Sequence, residues 1–279
     1  MNSFGARLQG AVAASGRLCV GIDPHPYLLE AWGLEDSAAG VREFALRVVE
    51  ATQGHAGVVK PQVAFFERHG AAGYAALEET LVAARAAGLL VIADAKRGDV
   101  GTSVEAYGQA WLSPGGSLEA DAMTVSAFQG VGSLEGVIEL ARQSGKGLFV
   151  LSATSNPEAT VIQRSRSEEG LTVAATIARD VARANQASTD AAGWGSFGLV
   201  LGATVALSDY GLEAATLVGT PVLAPGFGHQ GARISDLGTL FGPAAESVLV
   251  SASRSILAAG PQEIGTAIRE HANDIASRA

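Results

Sequence analysis

The chain carries a single cysteine, Cys19, so no internal disulfide can form and a reducing, cytoplasmic setting is expected. Cys19 lies inside an apolar run and reads as a small core residue, not a ligand or a nucleophile. Basic residues are in the minority: 19 Lys and Arg stand against 28 Asp and Glu, a formal charge of −9, and no cluster concentrates them. That balance argues against nucleic acid or an anionic membrane surface as partner. It leaves small anions open, because a few local cations can dominate a pocket. No apolar run approaches the length of a membrane span, and the first residues lack the charged head and apolar core of a secretory signal. Low-complexity tracts and composition breaks that would mark a linker are also missing. One domain over 1–279 is expected.

What is present is a 48% hydrophobic chain in which strand-like and helix-like segments alternate. A short leading helix over 3–15 precedes the first strand, Arg17 to Asp23, which Pro24 and Pro26 stop. Further strands read at Gly57–Pro61, Leu89–Ala93, Ala122–Ser126, Gly147–Ser155, Phe197–Thr204, Pro221–Phe227 and Val248–Ser255. Between them run helical patterns such as Val41, Phe44, Ala45, Val48 and Val49, spaced as a core-facing stripe. Long helices are expected up to Ala86, near 169–188 and over 262–276. Eight strand-helix units predict a single (β/α)8 TIM barrel with a leading N-terminal helix. A doubly wound open sheet is the structural alternative; it lacks its glycine-rich fingerprint, since Gly21-Ile22-Asp23-Pro24-His25-Pro26 follows the first strand.

The stretch with most chemistry in it is Leu89 to Ser103, L-L-V-I-A-D-A-K-R-G-D-V-G-T-S. Side chains alternate along a strand, so Asp94 and Lys96 share the face of Leu90 and Ile92 while Ala95 points away. Gly98 turns the chain and Asp99 brings back a second carboxylate. Thr102 with Glu105 three residues on reads as a capping box, leaving Ser103 at the first helical position. Taken alone these residues also suit a solvated turn. The other strand ends shift the balance, because in this barrel active sites gather at the C-terminal ends. Those ends read Asp23, Lys60, Asp94 with Lys96, Ser126, Ser155, Thr204, Pro225-Gly226 and Arg254. Ionisable groups at the first, second, third and eighth strands define a polar mouth. The loop Pro225-Gly226-Phe227-Gly228-His229-Gln230-Gly231 offers small residues whose N–H groups can approach an anion, and Arg254 adds a planar fork of donors.

Together these residues resemble the orotidine 5′-monophosphate decarboxylase family. The resemblance rests on D-A-K-R-G-D over 94–99, Asp23, Lys60, Ser155-Asn156-Pro157, P-G-F-G-H-Q-G and Ser253-Arg254, and spans nearly the whole chain. The longer segment around 155–170 is similar to that of the larger bacterial subtype. The resemblance implies removal of the C6 carboxylate of orotidine 5′-monophosphate in de novo pyrimidine biosynthesis, with no metal and no organic cofactor. It implies Lys96 as proton donor to C6, with Asp94, Asp99 and Lys60 completing an alternating charge array. Asp23 and Lys60 would meet ribose hydroxyls, and Ser155 with Asn156 the pyrimidine. Gly226, Gly228, Arg254 and either Gln163 or Gln230 would hold the phosphate. It also implies a homodimer in which Asp99 and Ser103 reach into the neighbouring subunit's site. His25, His69 and His229 are expected to be packing or surface residues.

Three other readings use the same residues. A Mg²⁺-dependent sugar-phosphate decarboxylase or aldol-type synthase of this barrel superfamily shares D-x-K-x-x-D, but favours an acid where Lys60 stands. A Schiff-base aldolase would want its lysine neutral, which Asp94 and Asp99 oppose. A non-catalytic phosphate-binding barrel would use Arg254 and leave the Asp94–Lys96–Asp99 array idle.

Overall fold

Runs of four to eight apolar residues bounded by Gly and Pro have no polar face to show to water, and each becomes a parallel strand covered on both sides. The computed structural model describes residues 2–187, 193–228 and 230–278. Its strands are β1 (Leu18–Ile22), β2 (Val58–Pro61), β3 (Leu90–Arg97), β4 (Ala122–Ser126), β5 (Gly147–Ala153), β6 (Phe197–Leu201), β7 (Val222–Pro225) and β8 (Val248–Ala252), closed into a barrel in sequence order. The (β/α)8 architecture is the expected one. Around it lie α1 (Phe4–Ser15), α2 (Pro26–Ala31), α3 (Ala38–Thr52), α4 (Ala64–Glu67), α5 (Gly70–Ala86), α6 (Gly101–Leu112), α7 (Glu135–Gln143), α8 (Thr160–Gln163), α9 (Val173–Gln186), α10 (Leu237–Phe241), α11 (Arg254–Leu257) and α12 (Gly260–Arg278). Among the described residues, no helix is long and apolar enough to cross a membrane.

The barrel interior takes one residue from every strand: Cys19, Val58, Ile92, Ala122, Phe149, Val200, Leu223 and Leu249. Cys19 is thus a core residue, and burial pushes its thiol up to about 12. The leading helix closes the N-terminal end beneath this layer. Phe4 and Leu8 are fully buried against it, with the Phe4 ring edge-on to Phe149 at 6.1 Å. Gly147 at the start of β5 makes room, since a Cβ there would sit 2.1 Å from the Phe4 ring. Because strand side chains alternate, the next inward positions lie two residues further on. Six of these eight, Lys60, Asp94, Thr124, Leu151, Pro225 and Ser251, line a cavity above the core, and the other two are Gly21 and Gly202.

Several expected boundaries move. β3 runs on to Arg97 instead of ending at Ala93, with a register shift between Ala93 and Arg97 against β4. β5 ends at Ala153, so Ser155 lies in the following loop, and β7 and β8 stop at Pro225 and Ala252. The capping box at Thr102 does not form. Gly101, at φ +57, turns the chain into α6 with Val100 as its N-cap, which puts Thr102 and Ser103 inside the first turn. Asp99 instead accepts the Val100 N–H at 2.9 Å. The strand-helix alternation also fails once, in the sixth unit: β6 and β7 are joined by short 3₁₀ turns at Leu207–Tyr210 and Ala214–Leu217, broken by the left-handed Gly211. The helix before α5 is split at Arg68–His69, and α9 begins at Val173 behind a Thr172 cap, later than 169, its expected end at 188 lying outside the described residues.

If Phe4 seals the barrel floor, Phe4→Ala should cost about 3–5 kcal/mol of stability. Urea denaturation measures this, and ligand affinity at the opposite end should not change. A loss below about 1 kcal/mol would show that the leading helix contributes little to the core.

Candidate active site

A buried carboxylate is tolerated only when its lone pairs are filled, and Asp94 fills all of its own. Its Oδ2 accepts from Lys60 Nζ at 2.7 Å and from Gln62 Nε2 at 2.9 Å. Its Oδ1 accepts from Lys96 Nζ at 2.6 Å and from the Thr124 hydroxyl at 2.9 Å. Asp94 and Lys60 are buried, whereas the Lys96 side chain is 45% exposed and reaches into the cavity. Burial alone would raise the Asp94 pKa, but the Lys60 and Lys96 ammonium groups outweigh it and hold the carboxyl well below its usual range. For Lys60 burial would lower the value, and the carboxylates of Asp94 and Asp23 reverse that and raise it. Both groups are charged at neutral pH.

The shift in β3 is what lets Lys96 reach back to Asp94. Lys96 has φ +48, the one non-glycine with positive φ among the described residues. A left-handed backbone on a side chain this long costs of order 1–3 kcal/mol and persists only where neighbours hold it. Here the Lys96 N–H donates to Thr124 Oγ at 2.9 Å, so one threonine binds both the backbone of Lys96 and the carboxylate of Asp94. Gly98 permits the return, since any Cβ there would lie 2.2 Å from the Ser126 carbonyl oxygen.

The cavity has a volume of about 260 Å³. Of the residues expected from the sequence, it brings together Lys96, Asp94, Lys60, Asp23, Gly226, Gln230 and Arg254. Two polar atoms in its wall, Asp23 Oδ1 and Ser253 Oγ, are buried with no hydrogen-bond partner among the described residues. No described carboxylate pairs with Arg254, whose guanidinium faces the same space. Gln230 bends over Gly226, where a Cβ would lie 3.0 Å from its Oε1. Ser155 stands at the rim and donates to Gln230 Oε1 at 3.4 Å. Asn156 is turned away, its amide engaged with Thr154 and Glu158. Gln163 is likewise spent on Thr154, accepting its N–H at 2.9 Å and donating to its hydroxyl at 3.0 Å, which leaves Gln230 as the glutamine beside Arg254. Asp99, Ser103 and Gly228 do not line the cavity of their own chain. His25 packs on Phe65 and Tyr27, His69 lies beside Asp36, and His229 is outside the described residues.

Four polar cavity residues escaped the sequence reading: Gln62, Thr124, Ser251 and Ser255. Thr124 and Ser251 sit two positions after the core residues Ala122 and Leu249, so strand alternation could have found them. Among the described residues, no three His, Cys, Asp or Glu side chains are grouped to hold a metal ion. The arrangement amounts to a fixed ammonium presented by a buried ion pair at one end of a small cavity, and a guanidinium paired with no described carboxylate, beside glycine backbone, at the other.

Residues 16–268 match the Orotidine 5′-phosphate decarboxylase / HUMPS family. Orotidine 5′-phosphate decarboxylase of Salinispora tropica is 49% identical over 264 residues, covering 95% of this chain and 93% of that protein. The enzyme of the same name from Streptomyces coelicolor is 47% identical over 277 residues, covering 99% and 96%. The crystal structure of a Streptomyces avermitilis protein described as a candidate orotidine 5′-phosphate decarboxylase superposes with a TM-score of 0.93 at 46% identity, covering all of this chain and 96% of that one.

If Asp94 is the anchor of this site, Asp94→Asn should destabilise the fold by about 3–5 kcal/mol, because Lys60 is left buried without its counter-charge. The depressed pKa fixes the sign: the stability Asp94 contributes is present above the unfolded carboxylate value of about 3.9 and is lost as pH falls below it. The gap between wild type and Asp94→Asn should therefore be flat from about pH 5 to 9 and narrow in acid. Denaturant titrations across that range measure it, and a gap that widens below pH 4 would contradict the assignment.

Proposed function

The chain belongs to the orotidine 5′-phosphate decarboxylase / HUMPS family, and on that premise we propose that it converts orotidine 5′-monophosphate to uridine 5′-monophosphate and carbon dioxide, with Lys96 as the proton donor. The observation that carries this reading is the Lys60–Asp94–Lys96 array, in which a buried carboxylate holds an exposed ammonium at the cavity wall.

Breaking the bond from C6 to its carboxylate leaves the electron pair on C6 as carbon dioxide departs. A positive charge already fixed at that carbon lowers the energy of the developing anion without reorganising solvent. The Lys96 ammonium then transfers a proton to C6 and is recharged from water. Asp94 keeps Lys96 on station, and Lys60 balances the charge that Asp94 would otherwise present to the substrate carboxylate. Asp23, with an unpartnered buried oxygen, suits a ribose hydroxyl, as does Lys60. Arg254, Gln230 and the backbone at Gly226 suit the phosphate, whose binding energy can be used at the distant reacting carbon. Ser155, at the rim and in contact with Gln230, suits the pyrimidine, whereas the Asn156 amide is engaged elsewhere.

Asp99 completes the array from a second copy of the chain. Among the described residues of its own chain its carboxylate bonds only the next backbone N–H, and it lies outside the cavity, as does exposed Ser103. The loops after β3 and β4 adjoin through Gly98 and Ser126, and they expose Val100 and Phe128, apolar surface that a partner would cover. A homodimer sharing Asp99 and Ser103 accounts for all of this.

The direct test follows orotidylate absorbance in excess chelator: it should fall at the same rate with and without chelator, whereas a Mg²⁺-dependent sugar-phosphate reaction would leave it unchanged. Lys96→Ala should lower the rate by at least ~10²–10⁴-fold while leaving the protein folded, because a positioned acid is lost from an exposed site. A folded variant keeping a tenth of the activity would remove Lys96 from its role. The shared site makes a separate claim. Lys96→Ala and Asp99→Ala dimers should each be nearly inactive, and mixing them with subunit exchange should restore up to about a quarter of wild-type activity, since half the dimers are mixed and half their sites intact. Verified exchange with no recovery would return Asp99 to its own subunit.

A further inference from the structure

Ser255 follows Arg254 at the start of α11 and lines the same end of the cavity. A Cβ on Gly228 would lie 3.6 Å from its hydroxyl oxygen, so Ser255 stands against the bare backbone of the loop after β7. Behind it, on α12, the imidazole of half-buried His271 places Nε2 3.0 Å from Ser255 Oγ and Nδ1 2.8 Å from the Ala267 carbonyl oxygen. A carbonyl can only accept, so Nδ1 carries a proton. In the neutral ring Nε2 is then an acceptor, and the one hydrogen of the Ser255 hydroxyl is spent on it. Ser255 would meet an arriving phosphate with lone pairs alone. A second proton on the ring reverses the bond: Nε2 donates to Ser255, and the serine hydrogen is released toward the cavity.

We infer that His271 is a positioning residue that sets the direction of the Ser255 hydroxyl and so couples capture of the substrate's phosphate to uptake of a proton by the imidazole. This rests on the phosphate reading of the Arg254 end. The driving force is ordinary: an anion brought close favours the charged form of the ring and replaces a lone-pair clash with a charge-assisted hydrogen bond. The other charged groups around His271 are Glu270 and Asp274 on its own helix and Arg233 on the loop after β7, which line one cleft with it. Arg254 comes from α11 and Asp236 from the turn at Ile234–Asp236. β1 carries no charge, and on α3 Arg42 pairs with Glu79 and Arg47 with Glu43, beside an exposed Glu50. Among the described residues the hydrogen-bond partner of Nε2 is Ser255.

The experiment is calorimetric titration of uridine 5′-monophosphate and of uridine at pH 7.5, in two buffers of different ionisation enthalpy, with wild type, Ser255→Ala and His271→Gln. Wild type should take up more proton on binding the nucleotide than His271→Gln does; the phosphate's own titration is common to both and cancels. Ser255→Ala should lose that excess uptake and bind the nucleotide about tenfold more weakly, the scale of one hydrogen bond to a charged group. His271→Gln, whose amide can donate to Ser255 without a proton, should stay within about threefold of wild type in affinity. Uridine should bind all three proteins alike, which a general disturbance of the fold would not allow. Equal proton uptake by wild type and His271→Gln, or unchanged nucleotide affinity in Ser255→Ala, overturns the inference. If wild type itself prefers the nucleotide no more than the nucleoside, the phosphate reading fails and the inference falls with it; if wild type prefers the nucleotide and the variants match it, the inference alone falls.

Discussion

Asp94 accepts four hydrogen bonds from four side chains on three neighbouring strands and one turn, and the rest of the site depends on that one carboxylate. Lys60 comes from β2, Gln62 from the turn beyond it, Lys96 from the bulged end of β3 and Thr124 from β4. Remove the carboxylate and two ammonium groups face each other across a low-dielectric wall. Keep it, and burial strengthens the pairing by excluding competing water, provided every lone pair is used. The positive φ of Lys96 belongs to the same bargain, since a strained backbone survives only where several bonds determine it together.

The site sits on a rigid support because the layer beneath it is close-packed. Cys19, Val58, Ile92, Ala122, Phe149, Val200, Leu223 and Leu249 fill the barrel, and α1 closes its floor with Phe4 and Leu8. The polar groups begin one alternation higher. A barrel strand can therefore change from core to chemistry within two residues, as Val58 to Lys60 and Ile92 to Asp94 do, with no loss of apolar contact below. At the opposite edge the cavity-facing groups are of another kind. Arg254 at the start of α11, Gln230 and the glycine backbone are donors and not buried ion pairs, so they suit a solvated anion, whereas the desolvated charges lie at the Asp94 end.

Much of this was legible in the residues. Apolar runs of strand length separated by amphipathic segments specified the barrel, and period-two alternation placed Asp94 and Lys96 on one face. D-A-K-R-G-D, Lys60, Asp23 and the P-G-F-G-H-Q-G loop with Arg254 carried the resemblance that the family match bears out. The misreadings are local. Thr102 and Glu105 have the spacing of a capping box, but Gly101 at positive φ starts the helix before them. The expected alternation of eight strand-helix units gives way between β6 and β7 to 3₁₀ turns, because Gly211 and Gly219 interrupt the segment.

What the sequence by itself determined is what depends on neighbours along the chain: strand and helix order, which face a side chain takes, and the presence of an acid and an amine two residues apart. What only the tertiary structure decided is which distant groups meet. Gln62 and Thr124 became partners of Asp94 because adjacent strands lie side by side in the closed barrel, and Gln230, not Gln163, came to face Arg254 because Gln163 is spent on Thr154. His271, 16 residues beyond Ser255, came to stand behind it through the packing of α12. Hydrogen-bond partners across elements are chosen by the register and closure of the whole barrel, and no local pattern of residues carries that information.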